Sequence, residues 1–226
     1  MKKSVLILVT FFPLIGLADT TYDNFFGYGG GYAPLGDPNT ATYGETFMAP
    51  TNGDNVLESF SFYFINYNTP GTIDMSAYIA PWTGTMAGTP LYVSPEIHYA
   101  NPGDANLSFS TGGLALTPGA EYVMFLSVSQ YYDTNGLTGA AGGSSTIPGG
   151  NFVYYNNGSN FNELFTHSWD DTGSKPEWAV TANFTTAPVP EPSVFALFLT
   201  VIALVGIVAR KRHGRQAGAG YCPSKP

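Results

Sequence analysis

Apolar and polar side chains alternate along most of the chain, with the two-residue period of strands. Phe60, Phe62 and Phe64 alternate with Ser59, Ser61 and Tyr63, which predicts a strand with one apolar and one mixed face. Met75, Ala77 and Ile79 alternate with Asp74, Ser76 and Tyr78, and Leu107 and Phe109 resume the pattern after the turn sequence Asn101-Pro102-Gly103-Asp104. Pro118 followed by Gly119 sets another turn. The stretch that leaves it, residues 121–129, is apolar on both faces, as a central strand is. Further strands are predicted over 91–94, 152–155 and 178–184, the last with Trp178, Val180, Ala182 and Phe184 on one face. Residues 131–150, rich in Gly and Ser, read as one long loop. Short strands without an amphipathic helix predict an all-β body, a single antiparallel β-sandwich of jelly-roll type over residues 19–187.

Two longer apolar runs break this pattern. Residues 5–17 follow Lys2 and Lys3 and lead to Ala18, the three parts of a signal peptide over residues 1–18. Interrupted by Pro13, that run is too short to span ~30 Å of hydrocarbon. Residues 194–209 carry no charge, and a transmembrane helix is predicted over 193–209. Arg210, Lys211 and Arg212 follow at once, and positive charge there stops transfer and marks the cytoplasmic side. Membrane lipid is thus an expected partner of the C-terminal helix, with the body outside. The tail 213–226 has no apolar periodicity and is expected to be disordered.

Composition sharpens this reading. Charged residues make up 11% of the chain, against about 25% in average proteins. Between the two apolar runs stand all sixteen acids and one base, Lys175, which leaves fifteen net negative charges. Such a body repels nucleic acid, so no nucleic-acid partner is expected. The single cysteine, Cys222, lies in the tail, so no intramolecular disulfide forms.

Ahead of the last helix, Pro188, Pro190 and Pro192 hold the chain extended. The sequence Val189-Pro190-Glu191-Pro192-Ser193, the helix behind it and the Arg210–Arg212 cluster together resemble the PEP-CTERM sorting signal of Gram-negative bacteria. That resemblance covers about 25 residues. It implies recognition by an exosortase, a membrane enzyme that processes its substrates near the motif. Pro190, Glu191 and Pro192 would be the sorting motif, on a protein destined for the cell surface or a biofilm matrix. The chain departs from the family's pattern by continuing well past the basic cluster. The strand order, with Ala80-Pro81-Trp82 and residues 116–122, also looks like the ectodomains that accompany this signal.

Candidate chemistry is sparse. His98 and His167 stand in no metal-ligand spacing, and the motifs of hydrolases and phosphate loops are missing, so no catalytic residue and no enzyme activity are expected. Glu163, His167, Trp169, Asp170 and Asp171 form the densest polar cluster. A solvated turn accounts for it, with calcium at Asp170 and Asp171 as the weaker alternative and no other cofactor expected. Asp133 to Gly136 faintly resembles a calcium loop but lacks its later Glu. Tyr22, Tyr28, Tyr32, Trp82, Trp169, Tyr131 and Tyr132 are the aromatic rings on which a neutral sugar would stack, unless they close the ends of the core. Of these, Trp82, Trp169, Tyr131 and Tyr132 are the candidate sugar contacts. The first expectation is a structural or adhesive surface protein in extracellular polysaccharide. A carbohydrate-binding module and a polysaccharide hydrolase are the alternatives.

Overall fold

The computed structural model describes residues 19–25, 30–37, 39–65, 72–100, 104–132, 136–171 and 177–186. The signal peptide, Pro190-Glu191-Pro192, the helix expected over 193–209, Arg210–Arg212 and the tail lie outside the described residues. Among those described, no helix is long and apolar enough to cross a membrane.

The described residues are all-β. In chain order the strands are β1 (Thr20–Asp23), β2 (Gly31–Gly36), β3 (Thr42–Met48), β4 (Val56–Ile65) and β5 (Ile73–Pro81). Then come β6 (Tyr92–Val93), β7 (Ile97–Tyr99), β8 (Ala105–Ala115), β9 (Glu121–Ser127) and β10 (Leu137–Gly143). The set closes with β11 (Phe152–Tyr155), β12 (Asp170–Asp171), β13 (Glu177–Trp178) and β14 (Val180–Thr185). They build two seven-stranded antiparallel sheets. The first runs β1-β14-β4-β10-β13, with β8 on β4 and β2 on β10; the second runs β12-β11-β3-β9-β5-β6, with β7 on β5.

The predicted alternation sets which faces meet. Phe60, Phe62 and Phe64 of β4, with Val180, Ala182 and Phe184 of β14, share one buried cluster with Tyr43, Phe47, Met75, Ile79, Met124 and Leu126 of the other sheet. Burying a large apolar side chain contributes roughly 1.5–3 kcal/mol, so this shared layer holds the two sheets face to face. The second sheet is covered on its outer side as well. There Tyr78, Val123, Phe125 and Val153 pack under Leu164 and Trp169, carried by the 3-10 helix Phe161–Phe165 and the segment after it. Covering on both faces explains why β9 is apolar from Tyr122 to Leu126, and β9 lies between β3 and β5 as a central strand should.

Two expectations fail for physical reasons. The segment 131–150 is not one loop, because β10 runs through it and pairs with β2, β4 and β13. Its glycines are there for close approach: a Cβ at Gly139 would lie 2.6 Å from Ile65 Cγ1, and one at Gly143 would lie 2.7 Å from the Asn24 amide. The strand predicted over 178–184 is interrupted at Ala179, and its two pieces join different neighbours, β10 and β4.

One charge is misplaced by any simple reading of the pattern. Glu45 shares the inward face of β3 with Tyr43 and Phe47 and is 0% exposed. Its Oε2 accepts the backbone N–H of Trp178 at 2.9 Å, whereas Oε1 is buried without a hydrogen-bond partner. Burial drives this carboxyl well above the ordinary carboxylate range; Glu177 adds to the rise and the Trp178 N–H opposes it.

Candidate functional site

The outward face of the first sheet is a ladder of hydroxyls and amides. Ser59, Ser61 and Tyr63 of β4 alternate with the core phenylalanines and therefore point away from them. Their cross-strand partners are Ser110, Ser108 and Asn106 on β8 and, for Ser59 and Ser61, Asn183 and Thr181 on β14. Ser61 Oγ meets Ser108 Oγ at 2.8 Å, Asn183 Nδ2 donates to Ser59 Oγ at 3.0 Å, and Thr21 Oγ1 donates to Asn183 Oδ1 at 3.0 Å. The polar rungs end at an aromatic pair. Phe25, just past β1, stacks on Tyr63 with ring centroids 4.3 Å apart and planes 21° apart.

Beside that pair lies an open depression of about 380 Å³ lined by Phe25, Tyr63, Ile65, Asp104, Asn106 and Ala141 among others. Phe25 is 39% exposed, and Asp104 and Asn106 are exposed at the rim. Burial raises the Tyr63 hydroxyl above its ordinary pKa and the Asp23 carboxylate adds to this, so the phenol stays protonated and able to donate. A stacked aromatic platform with a carboxylate, an amide and a phenol at its edge is equipped to hold a neutral polyol. Sequence reading missed Phe25 and Tyr63. Tyr63 carried a signal, since it is the one ring on the polar face of β4, but nothing local tells that Phe25 folds onto it.

The residues chosen from sequence are placed differently. Trp169 is 7% exposed, its Nε1 donates to the Leu164 carbonyl at 2.9 Å, and its ring meets Trp82 edge-on at 5.5 Å. These two indoles do come together, with Trp82 half-buried and Trp169 part of the outer core of the second sheet. Tyr131 and Tyr132 brace loops: Tyr131 Oη meets Ser76 Oγ at 3.1 Å, and Tyr132 Oη donates to the Asn39 carbonyl at 3.3 Å. Asp170 and Asp171 are exposed and form β12, a two-residue strand paired with Tyr154 and Val153 rather than a turn. Tyr155 gathers part of the expected polar cluster, donating to Glu163 Oε2 at 3.4 Å and stacking near the His167 ring at 6.4 Å.

A second group escaped the sequence reading because strand pairing assembles it. Asp74 on β5 faces His98 on β7, and Glu96 precedes that strand. Asp74 Oδ1 and His98 Nδ1 lie 2.7 Å apart, and Glu96 Oε1 lies 3.9 Å from Nε2. The three can offer ligand atoms within 4.8 Å of one another, yet the short Asp74–His98 contact is that of an ion pair. Asp74 holds the His98 imidazole above its ordinary range.

No protein-family model matches the chain, and no curated protein matches it. Among solved structures it is similar to the cysteine protease and lectin-like domains of Cwp84, a surface layer associated protein of Clostridium difficile. That match has 14% identity and a TM-score of 0.44, and covers 66% of this chain and 33% of the other. It is also similar to clostridial Cwp84 after propeptide cleavage, at 12% identity and a TM-score of 0.48, over 75% of this chain and 40% of that one. The chain thus spans well under half the length of these structures, and the likeness carries no activity or ligand across to it.

Proposed function

We propose that the protein is an exported, surface-sorted adhesive protein whose β-sandwich binds neutral polysaccharide on the outer face of its first sheet. The observation that carries this reading is the Phe25–Tyr63 stack beside Asp104 and Asn106, at the end of a row of hydroxyl and amide side chains. Stacking on the aromatic pair would supply the affinity, and the amides and hydroxyls the orientation. Neutral rather than anionic sugar follows from the acidic body, which carries the single base Lys175.

In this proposal the body is a jelly-roll-like sandwich held outside the membrane by the helix over 193–209. Pro190, Glu191 and Pro192 serve as the motif for an exosortase-like enzyme, and Arg210, Lys211 and Arg212 as the stop-transfer charges. What supports this reading is the placement of charge at the two ends and the run of Pro188, Pro190 and Pro192 ahead of the second apolar stretch. The protein binds and does not cleave its polysaccharide.

Affinity electrophoresis of the body through gels containing neutral glucans, mannans or galactans, with alginate as the anionic control, tests the binding claim. Retardation by a neutral polymer is expected, and Tyr63→Ala should weaken it about tenfold, for a loss of ~1.4 kcal/mol. Equal mobility of the wild type in all gels would sink the reading, and shortening of the polymer chains would replace it with a hydrolase.

A further inference from the structure

An unpaired strand edge recruits other chains unless it is short, bulged, or blunted by charge or proline. Among the described residues, the edge strands of both sheets carry such protection in all places but one. β1 is four residues long and ends in Asp23, β2 contains Pro34, and β12 is the pair Asp170–Asp171. β6, β7 and β13 have only two or three residues each. β8 is different. It runs for eleven residues, Ala105–Ala115, with no charge and no proline, and among the described residues it pairs with β4 alone.

The one irregularity of β8 lies at its far end. Gly112 and Gly113 take φ of 70° and 92°, and Thr111 Oγ1 accepts the N–H groups of Gly113 and Leu114 at 3.3 Å each. Residues 105–111 remain as a regular open edge of ~24 Å, with Ser108 at the middle. Along it Phe109 is buried and Leu107 packs against the inner cluster, while Asn106, Ser108 and Ser110 are exposed on the outward face. No carboxylate stands within this stretch to hold a basic peptide. The edge therefore suits an extended, uncharged strand with a free edge of the same length, and β8 is itself such a strand. Antiparallel pairing about Ser108 matches it to itself. Ser108 then falls opposite its own counterpart, Asn106 opposite Ser110 of the second copy, and Leu107 opposite Phe109 of the second copy.

We propose that the protein forms a symmetric dimer in which residues 105–111 of two copies pair antiparallel, edge to edge, about Ser108. Backbone hydrogen bonds join the two first sheets into one continuous sheet. Opposite residues share a face, so the polar rows of both copies lie on the same side. The two-fold axis closes the contact and gives a dimer instead of a fibre. This pairing stands whether or not the polar face binds sugar.

The test is analytical ultracentrifugation of the full chain in detergent, where the wild type should be dimeric. Ser108→Lys and Ser108→Asp each set like charges opposite one another at the axis and should raise the dimer dissociation constant about fivefold or more. Near-UV circular dichroism checks that both variants keep the fold. Mixing the two should restore association as a heterodimer, because lysine then lies opposite aspartate. In a Cys222→Ser background, Ser108→Cys should cross-link two copies under mild oxidation, whereas Thr21→Cys, on the β1 edge, should not. Cross-linking at Ser108 separates pairing through β8 from association of the C-terminal apolar segments in detergent. A monomeric wild type overturns the proposal. So does a dimer that withstands both charged variants and gives no Ser108→Cys cross-link, and so does failure of the two folded charge variants to associate when mixed.

Discussion

Trp178 packs against rings from both sheets and is tied to each of them by a hydrogen bond. Its ring is fully buried and packs against Phe62 at 4.4 Å, Phe64 at 5.8 Å, Tyr43 at 6.1 Å and Phe152 at 6.5 Å, drawing on both sheets. Its backbone N–H donates to Glu45, and its indole N–H donates to the Tyr63 carbonyl at 2.9 Å. Trp178→Ala should destabilise the body by about 3–5 kcal/mol through cavity formation. Trp178→Phe keeps most of the packing but orphans the Tyr63 carbonyl, for a cost of about 1–3 kcal/mol. Urea unfolding of the two variants gives both values. His98 offers a second prediction at this scale. Its folded pKa lies above the ordinary value of about 6.5, so the Asp74 pair contributes stability that is complete below that value. The contribution is lost as the pH rises through the raised folded pKa. Because the imidazole is 70% exposed, the effect belongs to the titration curve rather than to the unfolding midpoint. NMR titration should show the His98 midpoint falling when Asp74→Asn is introduced.

At the scale of elements, β10 shows how composition misleads. Glycine-rich sequence reads as loop because glycine lowers strand propensity. Here the missing side chains let β10 press against β2, β4 and Asn24, and six of its seven positions, Thr138 to Gly143, are buried. Gly143→Ala would drive a Cβ to 2.7 Å from an Asn24 amide already tied by three hydrogen bonds, so it should cost about 1–3 kcal/mol. Gly88→Ala is the control, with its Cβ at 3.4 Å from the nearest atom, and should leave Tm almost unchanged. By contrast β4, β5, β9 and β14 were legible, because a strand with one face on the core must alternate and a central strand covered on both faces must be apolar throughout.

For the whole molecule, the prediction concerns its ends. If the Pro190-Glu191-Pro192 segment is a processing signal, mass spectrometry of the mature protein should find a C-terminus near it. Replacing Glu191 by Ala should leave the hydrophobic segment attached and the protein in the membrane fraction. An intact end at Pro226 in the wild type would refute processing. What the sequence determined by itself is whatever depends on local periodicity and on charge summed along the chain: strands rather than helices, an acidic body, and an expected membrane topology. These need no knowledge of which strand lies beside which. The tertiary structure decided the rest. Phe25 meets Tyr63, Asp74 meets His98 and Glu45 accepts the Trp178 N–H across 38, 24 and 133 residues of chain, and no local pattern encodes such pairs. The same distance reassigns Trp169 from surface ring to outer core, because the 3-10 helix before it folds over a sheet face that alternation alone would have left to solvent.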